Sequence, residues 1–262
     1  TTTLTTSTLL SGDNRTLFLD SEGDLLLGAG ESEETEVSGR AGLQTLADKT
    51  AAALTSRGIT SVTLNWRGTL FEGDSHLPAW DAQEVGGYEG HVGPMAIDAG
   101  RTAPGAYAFH EDAPGYVAQV FAKALTSSGV AVKLGKDGEA PTGGETLASV
   151  SSATMGEQLR WMLAHSDNTL ADQYCRLAAS AAGQPTTYAG AVAMVKADLV
   201  EASIPTRGMI LEDCSGLSTN DKLSANTLVG VLKASYEAQG RQGDLIRLLP
   251  WPDLDGTLSD RM

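Results

Sequence analysis

The 262-residue sequence predicts a mixed α/β protein in two regions, one alternating strands with helices and the next mainly helical. Three observations predict it. Short leucine-rich and β-branched runs alternate with segments of helical period in the first part of the chain. A stretch rich in Gly, Pro and Thr interrupts the pattern at 138–144, and beyond it apolar residues recur almost only at three- and four-residue spacing. The composition, with 41% hydrophobic and 19% charged residues and 30 glycines, is that of a globular chain long enough for a sizeable core.

Residues 1 to about 30 read as strands. Arg15-Thr16-Leu17-Phe18-Leu19, a turn at Asp20-Ser21-Glu22-Gly23 and then Asp24 to Leu27 predict a hairpin. Leu43, Leu46, Thr50, Ala53 and Leu54 follow a helical period that Gly58 stops, and Ser61 to Trp66 alternates as a strand. A Gly-, Asp- and Pro-rich loop is expected over 72–105. Tyr116, Val117, Val120, Phe121, Ala124 and Leu125 then mark a helix closed by Ser127-Ser128-Gly129, and Val130 to Leu134 a strand.

Beyond the interruption, Thr154-Met155-Gly156-Glu157 has the form of a capping box, with Met155, Leu159 and Met162 on one face of the helix it opens. A second helix is predicted over 166–182 with an apolar stripe of Leu170, Tyr174 and Leu177, and a third over 186–202. Met209-Ile210-Leu211 leads into a loop at Ser215, and Ser224 caps a fourth helix through Leu228, Val231 and Leu232.

A formal charge of −15 disfavours nucleic acid and anionic membrane surfaces, because no basic stripe would meet a polyanion. No stretch approaches the roughly 18 apolar residues of a membrane-spanning helix. No cationic-then-apolar leader precedes Thr1, so any targeting segment is expected outside these residues. Cys175 and Cys214 form no Cys-x-x-Cys pair and have no histidines at zinc-ligand spacing, so neither a metal nor a cofactor is called for. Two readings stay open for them: a pair of buried thiols, or one disulfide of an exported protein.

The chemistry-bearing candidates are few. Ser166-Asp167-Asn168 opens the second helix of the rear region. These residue types suit a plain helix cap, but a Ser-x-Asn element also serves active-site serine acyltransferases, the hydroxyl relaying a proton and the carboxamide holding the substrate backbone. Such enzymes take their nucleophile from Ser-x-x-Lys. None of the seven lysines here has a serine three residues before it, and no Lys-Thr-Gly occurs. Lys49-Thr50-Ala51 falls in mid-helix, with alanine where a glycine is needed. His165 beside Ser166 reads as a surface or packed histidine, since neighbours at a helix start do not face each other. His110-Glu111-Asp112-Ala113-Pro114 lacks the second histidine of a zinc motif, Gly28-Ala29-Gly30 lacks the third glycine of a dinucleotide loop, and both read as loop sequence.

Taken in order, Val150-Ser151-Ser152, Trp161-Met162-Leu163, His165-Ser166-Asp167-Asn168-Thr169-Leu170-Ala171-Asp172, Asp213-Cys214-Ser215-Gly216-Leu217-Ser218, and Leu249-Pro250 followed by Gly256-Thr257-Leu258 and Arg261 carry a family resemblance. The chain resembles the D-alanyl-D-alanine carboxypeptidase/endopeptidase family of low-molecular-mass class C penicillin-binding proteins, peptidase family S13. The resemblance covers nearly all of it. Residues 1–146 look like the large insertion region of that family, and 147–262 like the helical part of its penicillin-binding/β-lactamase-like transpeptidase fold. Cys214 stands where the family usually has glycine. Class A β-lactamases also use Ser-Asp-Asn but place it soon after the nucleophile, without so long an insertion.

The resemblance implies hydrolysis of the terminal D-Ala-D-Ala bond, or of a cross-bridge, in peptidoglycan stem peptides through an acyl-enzyme that β-lactams would trap. It implies a location outside the cytoplasm. Ser166 would relay the proton and Asn168 would bond the substrate amide, with Asp167 fixing the turn; Trp80, Asp81 and Tyr88 lie in a segment, 78–101, that leads back toward the family's cleft, but loop packing is the favoured account of each. The same packing would bring Cys175 and Cys214 close enough to bond, closing a long loop and stabilising by roughly 3 to 4 kcal/mol. Both missing motifs are expected beyond the ends of this chain, which is expected to be inactive alone. The alternatives are a non-catalytic peptidoglycan-binding pseudoenzyme or an extracellular interaction module.

Overall fold

The computed structural model describes residues 2–238, 245–251 and 256–259. The chain divides into two compact units, the first made of Thr1–Leu70 with Gly90–Glu157 and the second of Phe71–Glu89 with Gln158–Met262. The stretch 138–144 lies inside the first unit, where it connects two strands.

Strands β1 (Thr5–Leu10), β2 (Thr16–Ser21), β4 (Ser61–Arg67), β6 (Ala131–Gly138) and β7 (Glu145–Ser151) form a five-stranded mixed sheet in the order β6-β4-β2-β1-β7. β1 pairs antiparallel with β2 and β7, while β2–β4 and β4–β6 are parallel. Helices α1 (Leu43–Thr55) and α3 (Ala113–Ser127) supply the crossovers and pack on the sheet. Leu17, Leu19 and Leu64 meet Leu43, Leu46, Leu54, Val117, Phe121 and Leu125 in one buried core. Within it the hydroxyls of Thr8 and Thr50 bond each other at 2.9 Å, and that of Thr50 also donates to the Leu46 carbonyl, so both polar groups are satisfied. α1 stops where expected, at Gly58 with φ 72°.

The expected hairpin does not form. β3 (Asp24–Leu27) leaves β2 and pairs in parallel with β5 (Met95–Ile97) as a separate two-stranded sheet. β2 already has β1 and β4 on its two sides, and the Gly23 amide donates to the Pro94 carbonyl at 2.9 Å, turning the chain toward β5. The expected loop 72–105 therefore holds β5, and also the short helix α2 (Pro78–Ala82). α3 begins earlier than its apolar period indicates, because Asp112 caps it by accepting from the Gly115 amide at 2.9 Å and Pro114 suits the first turn. His110, read with Asp112 as loop, stacks on the Tyr116 ring.

The second unit is helical: α2, α4 (Met155–His165, which begins in the first unit), α5 (Asn168–Ala181), α6 (Tyr188–Glu201), α7 (Ala225–Glu237) and α8 (Leu245–Leu248). Thr154 and Glu157 form the predicted capping box, the Thr154 amide and hydroxyl donating to Glu157 Oε2 at 2.8 and 2.7 Å. Ser224 caps α7 through the Thr227 amide, and Thr187 caps α6. Met155, Leu159 and Met162 are only half-buried. The one fully buried residue of α4 is Gln158, whose carbonyl accepts the Tyr174 hydroxyl at 2.9 Å. Among the described residues no helix is long and apolar enough to cross a membrane.

Candidate active site

The corner between α4 and α5 sets the geometry of Ser166 and Asn168. Ser166 takes the left-handed conformation, φ 51°, and the Asp167 amide reaches back five residues to the Met162 carbonyl at 3.1 Å, the hydrogen bond of a Schellman stop. That position usually holds glycine; a serine there costs roughly 1 kcal/mol of backbone strain. Asp167 is buried and at once caps α5, accepting from the Leu170 amide at 3.0 Å. Its carboxylate fixes the turn. The Ser166 side chain is left exposed, and Asn168 is half-buried with its Nδ2 donating to the Tyr88 carbonyl at 3.2 Å.

His165 is exposed and supplies no base to Ser166. Its ring stacks on Trp161 at 3.9 Å, and Nδ1 bonds the Trp161 carbonyl at 2.8 Å. Of the segment 78–88, Tyr88 and Asp81 are exposed, while Trp80 is wholly buried. Trp80 Nε1 donates to Asp213 Oδ2 at 2.8 Å, and the ring packs edge-on against His76 and Tyr188, which makes it a structural anchor.

The face that α5 buries differs from the apolar stripe the sequence suggests. Leu170 and Tyr174 are buried, but Leu177 is only half so, while Asp172, Gln173 and Arg176 are fully enclosed. Arg176 donates to the carbonyls of Thr186, Asp74 and Glu72, each at 2.7 Å, and lies over the Phe71 and Tyr188 rings. A buried guanidinium is tolerated when its donors are filled in this way. Asp213 is equally well served, accepting from the Gly216 and Ser218 amides at 2.7 Å in addition to Trp80.

The loop that begins at Asp213 is joined to α5 twice. Cys214 and Cys175 are bonded as a disulfide, with Cα atoms 6.3 Å apart, and the Cys214 amide donates to Asp172 Oδ1 at 2.9 Å. Burial raises the Asp172 carboxyl to about 6, against the lowering effect of that bond. Glu89, 2% exposed, is held well above the usual carboxylate range by burial and then by the neighbouring charges of Asp172 and Asp213. Burial also raises Asp221, which faces Asp213.

Glu89, Asp172, Arg176, Asp213 and Asp221 were not among the sequence candidates. The signal that could have found two of them is the four-residue spacing from Asn168 to Asp172 and Arg176, which puts the three on one face of α5. Among the described residues no cluster of His, Cys, Asp or Glu is arranged to hold a metal ion. Of the Leu-Pro segment, 252–255 and Arg261 lie outside the described residues; Gly256–Leu258 forms a single 3-10 turn.

Ser166 thus sets an exposed hydroxyl on a strained corner, two residues before the Asn168 carboxamide at the head of α5. The structure as a whole has the fold of penicillin-binding protein 4 from Haemophilus influenzae: TM-score 0.75 at 17% identity, covering 99% of this chain and 70% of that one. The same protein's structure in complex with a novel β-lactam gives a TM-score of 0.68 at 18% identity, covering 99% of this chain and 69% of that one. The profile of the D-Ala-D-Ala carboxypeptidase 3 (S13) family matches residues 106–262, and the chain belongs to that family. It is 35% identical over 246 residues to carboxypeptidase DacB of Mycolicibacterium smegmatis, covering 91% of this chain and 52% of that protein. A carboxypeptidase of Mycobacterium tuberculosis is 33% identical over 210 residues, covering 78% of this chain and 44% of its own length. The chain thus spans about half the length of the curated relatives it matches.

Proposed function

We propose that this chain carries the Ser-x-Asn part of a serine-type DD-carboxypeptidase/endopeptidase that acts outside the cytoplasm on D-Ala-D-Ala stem peptides of peptidoglycan through an acyl-enzyme. The observation that carries the reading is the exposed, left-handed Ser166 two residues ahead of Asn168 at the head of α5, inside the family-matched span. In this reading the Ser166 hydroxyl passes a proton toward the departing D-alanine, and the Asn168 carboxamide bonds the substrate amide. Neither group needs to ionise. In the same reading 147–262 is the helical part of the peptidase domain, which the family match over 106–262 contains whole, and 1–146 is the insertion region.

By itself the chain binds without turning over, since no lysine in it follows a serine by three residues. Calorimetry with a stem peptide ending in D-Ala-D-Ala tests the reading. Wild type gives heat, Asn168→Ala weakens binding about tenfold, and penicillin leaves no covalent adduct by mass spectrometry. No heat with wild type would point to an interaction module of another purpose. A penicillin adduct would place the nucleophile within this chain.

A further inference from the structure

One turn beyond Asn168 on α5, Asp172 is fully enclosed. Against it lies Glu89, next in the chain to Tyr88, whose carbonyl receives the Asn168 amide. Glu89 Oε2 accepts the Ser215 hydroxyl at 3.4 Å, and Asp172 Oδ1 accepts the Cys214 amide. The remaining oxygens, Glu89 Oε1 and Asp172 Oδ2, are buried and meet no donor among the described residues. The two carboxyls are in contact with each other. Two ionised carboxylates are acceptors only and repel, so the contact requires a proton between them.

The groups that face this pair are Arg176, one turn further along α5 from Asp172; Tyr188 from α6; and Asp213 from the loop, with Asp221 behind it. Arg176 is occupied by three carbonyls, and Asp213 adds negative field. Both circumstances favour keeping one proton on Glu89, with Asp172, itself raised to about 6, as the acceptor.

We propose that Glu89 is a positioning residue for Asn168: the proton it shares with Asp172 pins residues 88–89 to α5 and thereby fixes the Tyr88 carbonyl that orients the Asn168 carboxamide. The inference rests on Asn168 facing the substrate, as proposed above. Glu89 has a raised native pKa, so the pinning is complete below the ordinary carboxylate range and is lost as the pH rises through the raised value. Above it, adjacent buried negative charges drive the 88–89 backbone from the helix, and the carboxamide loses its fixed partner.

The test is NMR of the Asn168 side-chain amide in the full chain without ligand, titrated from about pH 5 to about pH 9, in wild type, Glu89→Gln and Glu89→Ala. Wild type shows two well-separated, exchange-protected amide protons that move toward solvent-like values in one transition. Glu89→Gln, which keeps a donor toward Asp172 without an ionisable proton, holds the protected signals at every pH. Glu89→Ala gives solvent-like signals throughout; should it not fold, wild type against Glu89→Gln decides. Wild-type signals that ignore pH, or a Glu89→Gln variant that titrates as wild type does, overturn the proposal. Because the readout needs no peptide, failure of stem-peptide binding overturns the function and with it the purpose of the positioning, while the NMR still decides whether Glu89 holds Asn168; normal binding beside a pH-indifferent Asn168 sinks this inference and spares the function.

Discussion

Replacing Cys175 and Cys214 together by alanine measures how far the Ser215 loop depends on its covalent tie to α5. The bridge joins positions 39 residues apart, and closing a loop of that length removes about 13 cal/mol/K of chain entropy from the unfolded state, about 4 kcal/mol at room temperature. The native loop keeps its other anchors: the Cys214 amide on Asp172, and Asp213 accepting from Gly216, Ser218 and Trp80. The variant is therefore expected to fold with the same site geometry and to lose about 4 kcal/mol. Urea unfolding followed by tryptophan fluorescence reads this, because Trp80 is fully enclosed and bonded directly to the loop. Wild type in reductant should unfold alongside the variant. A loss below about 1 kcal/mol would refute the loop-entropy argument, and two thiols titrating with Ellman's reagent in denatured, unreduced protein would refute the bond itself.

Asp24 is wholly enclosed, and burial pushes its carboxyl up to about 7, opposed only by the bond from the Leu26 amide. Its native value lies above the unfolded one of 3.8, so the folded state holds the extra proton between them, and stability falls by about 4 kcal/mol as the pH rises across that window. Asp24→Asn should flatten this slope in urea titrations at successive pH values; an unchanged slope would refute the assignment. Ser166→Gly relieves a left-handed φ of 51° and should raise the unfolding free energy by about 0.5 to 1 kcal/mol while weakening stem-peptide binding. A destabilised variant would show that the hydroxyl, not the backbone, holds the corner.

The helices were legible because their signals are local. Leu43 to Leu54, the Thr154–Glu157 box, the Ser224 cap and the stop at Gly58 each act within a turn or two of the chain, and each is found where the sequence puts it. The hairpin was misread because Asp20 to Gly23 suits a tight turn whichever strand comes next. Whether Asp24–Leu27 folds back on β2 depends on the other partners of β2, and those come from residues 5–10 and 61–67. Its actual partner, Met95–Ile97, is three residues long and too short to carry a period.

The same limit explains the site. Ser166 and Asn168 stand out because a rare triplet occurs in an ordered series of family motifs, whereas Asp172 and Arg176 look like the solvent face of an amphipathic helix, charged residues being outside by default. They are inside because most of their partners come from far along the chain: Arg176 binds the carbonyls of residues 72 and 74 as well as that of nearby residue 186, and Asp172 meets the amide of residue 214 and the carboxyl of residue 89. No window around α5 contains residues 72, 74, 89 and 214. Once they are in place Arg176 is held by three carbonyls, and truncating a partner strands a charge in a medium that cannot solvate it, at about 3 to 5 kcal/mol for a buried charge left alone. The buried polar face of α5 thus makes the head of that helix rigid, and rigidity at the helix head is what a carboxamide needs if it is to hold a peptide in one orientation.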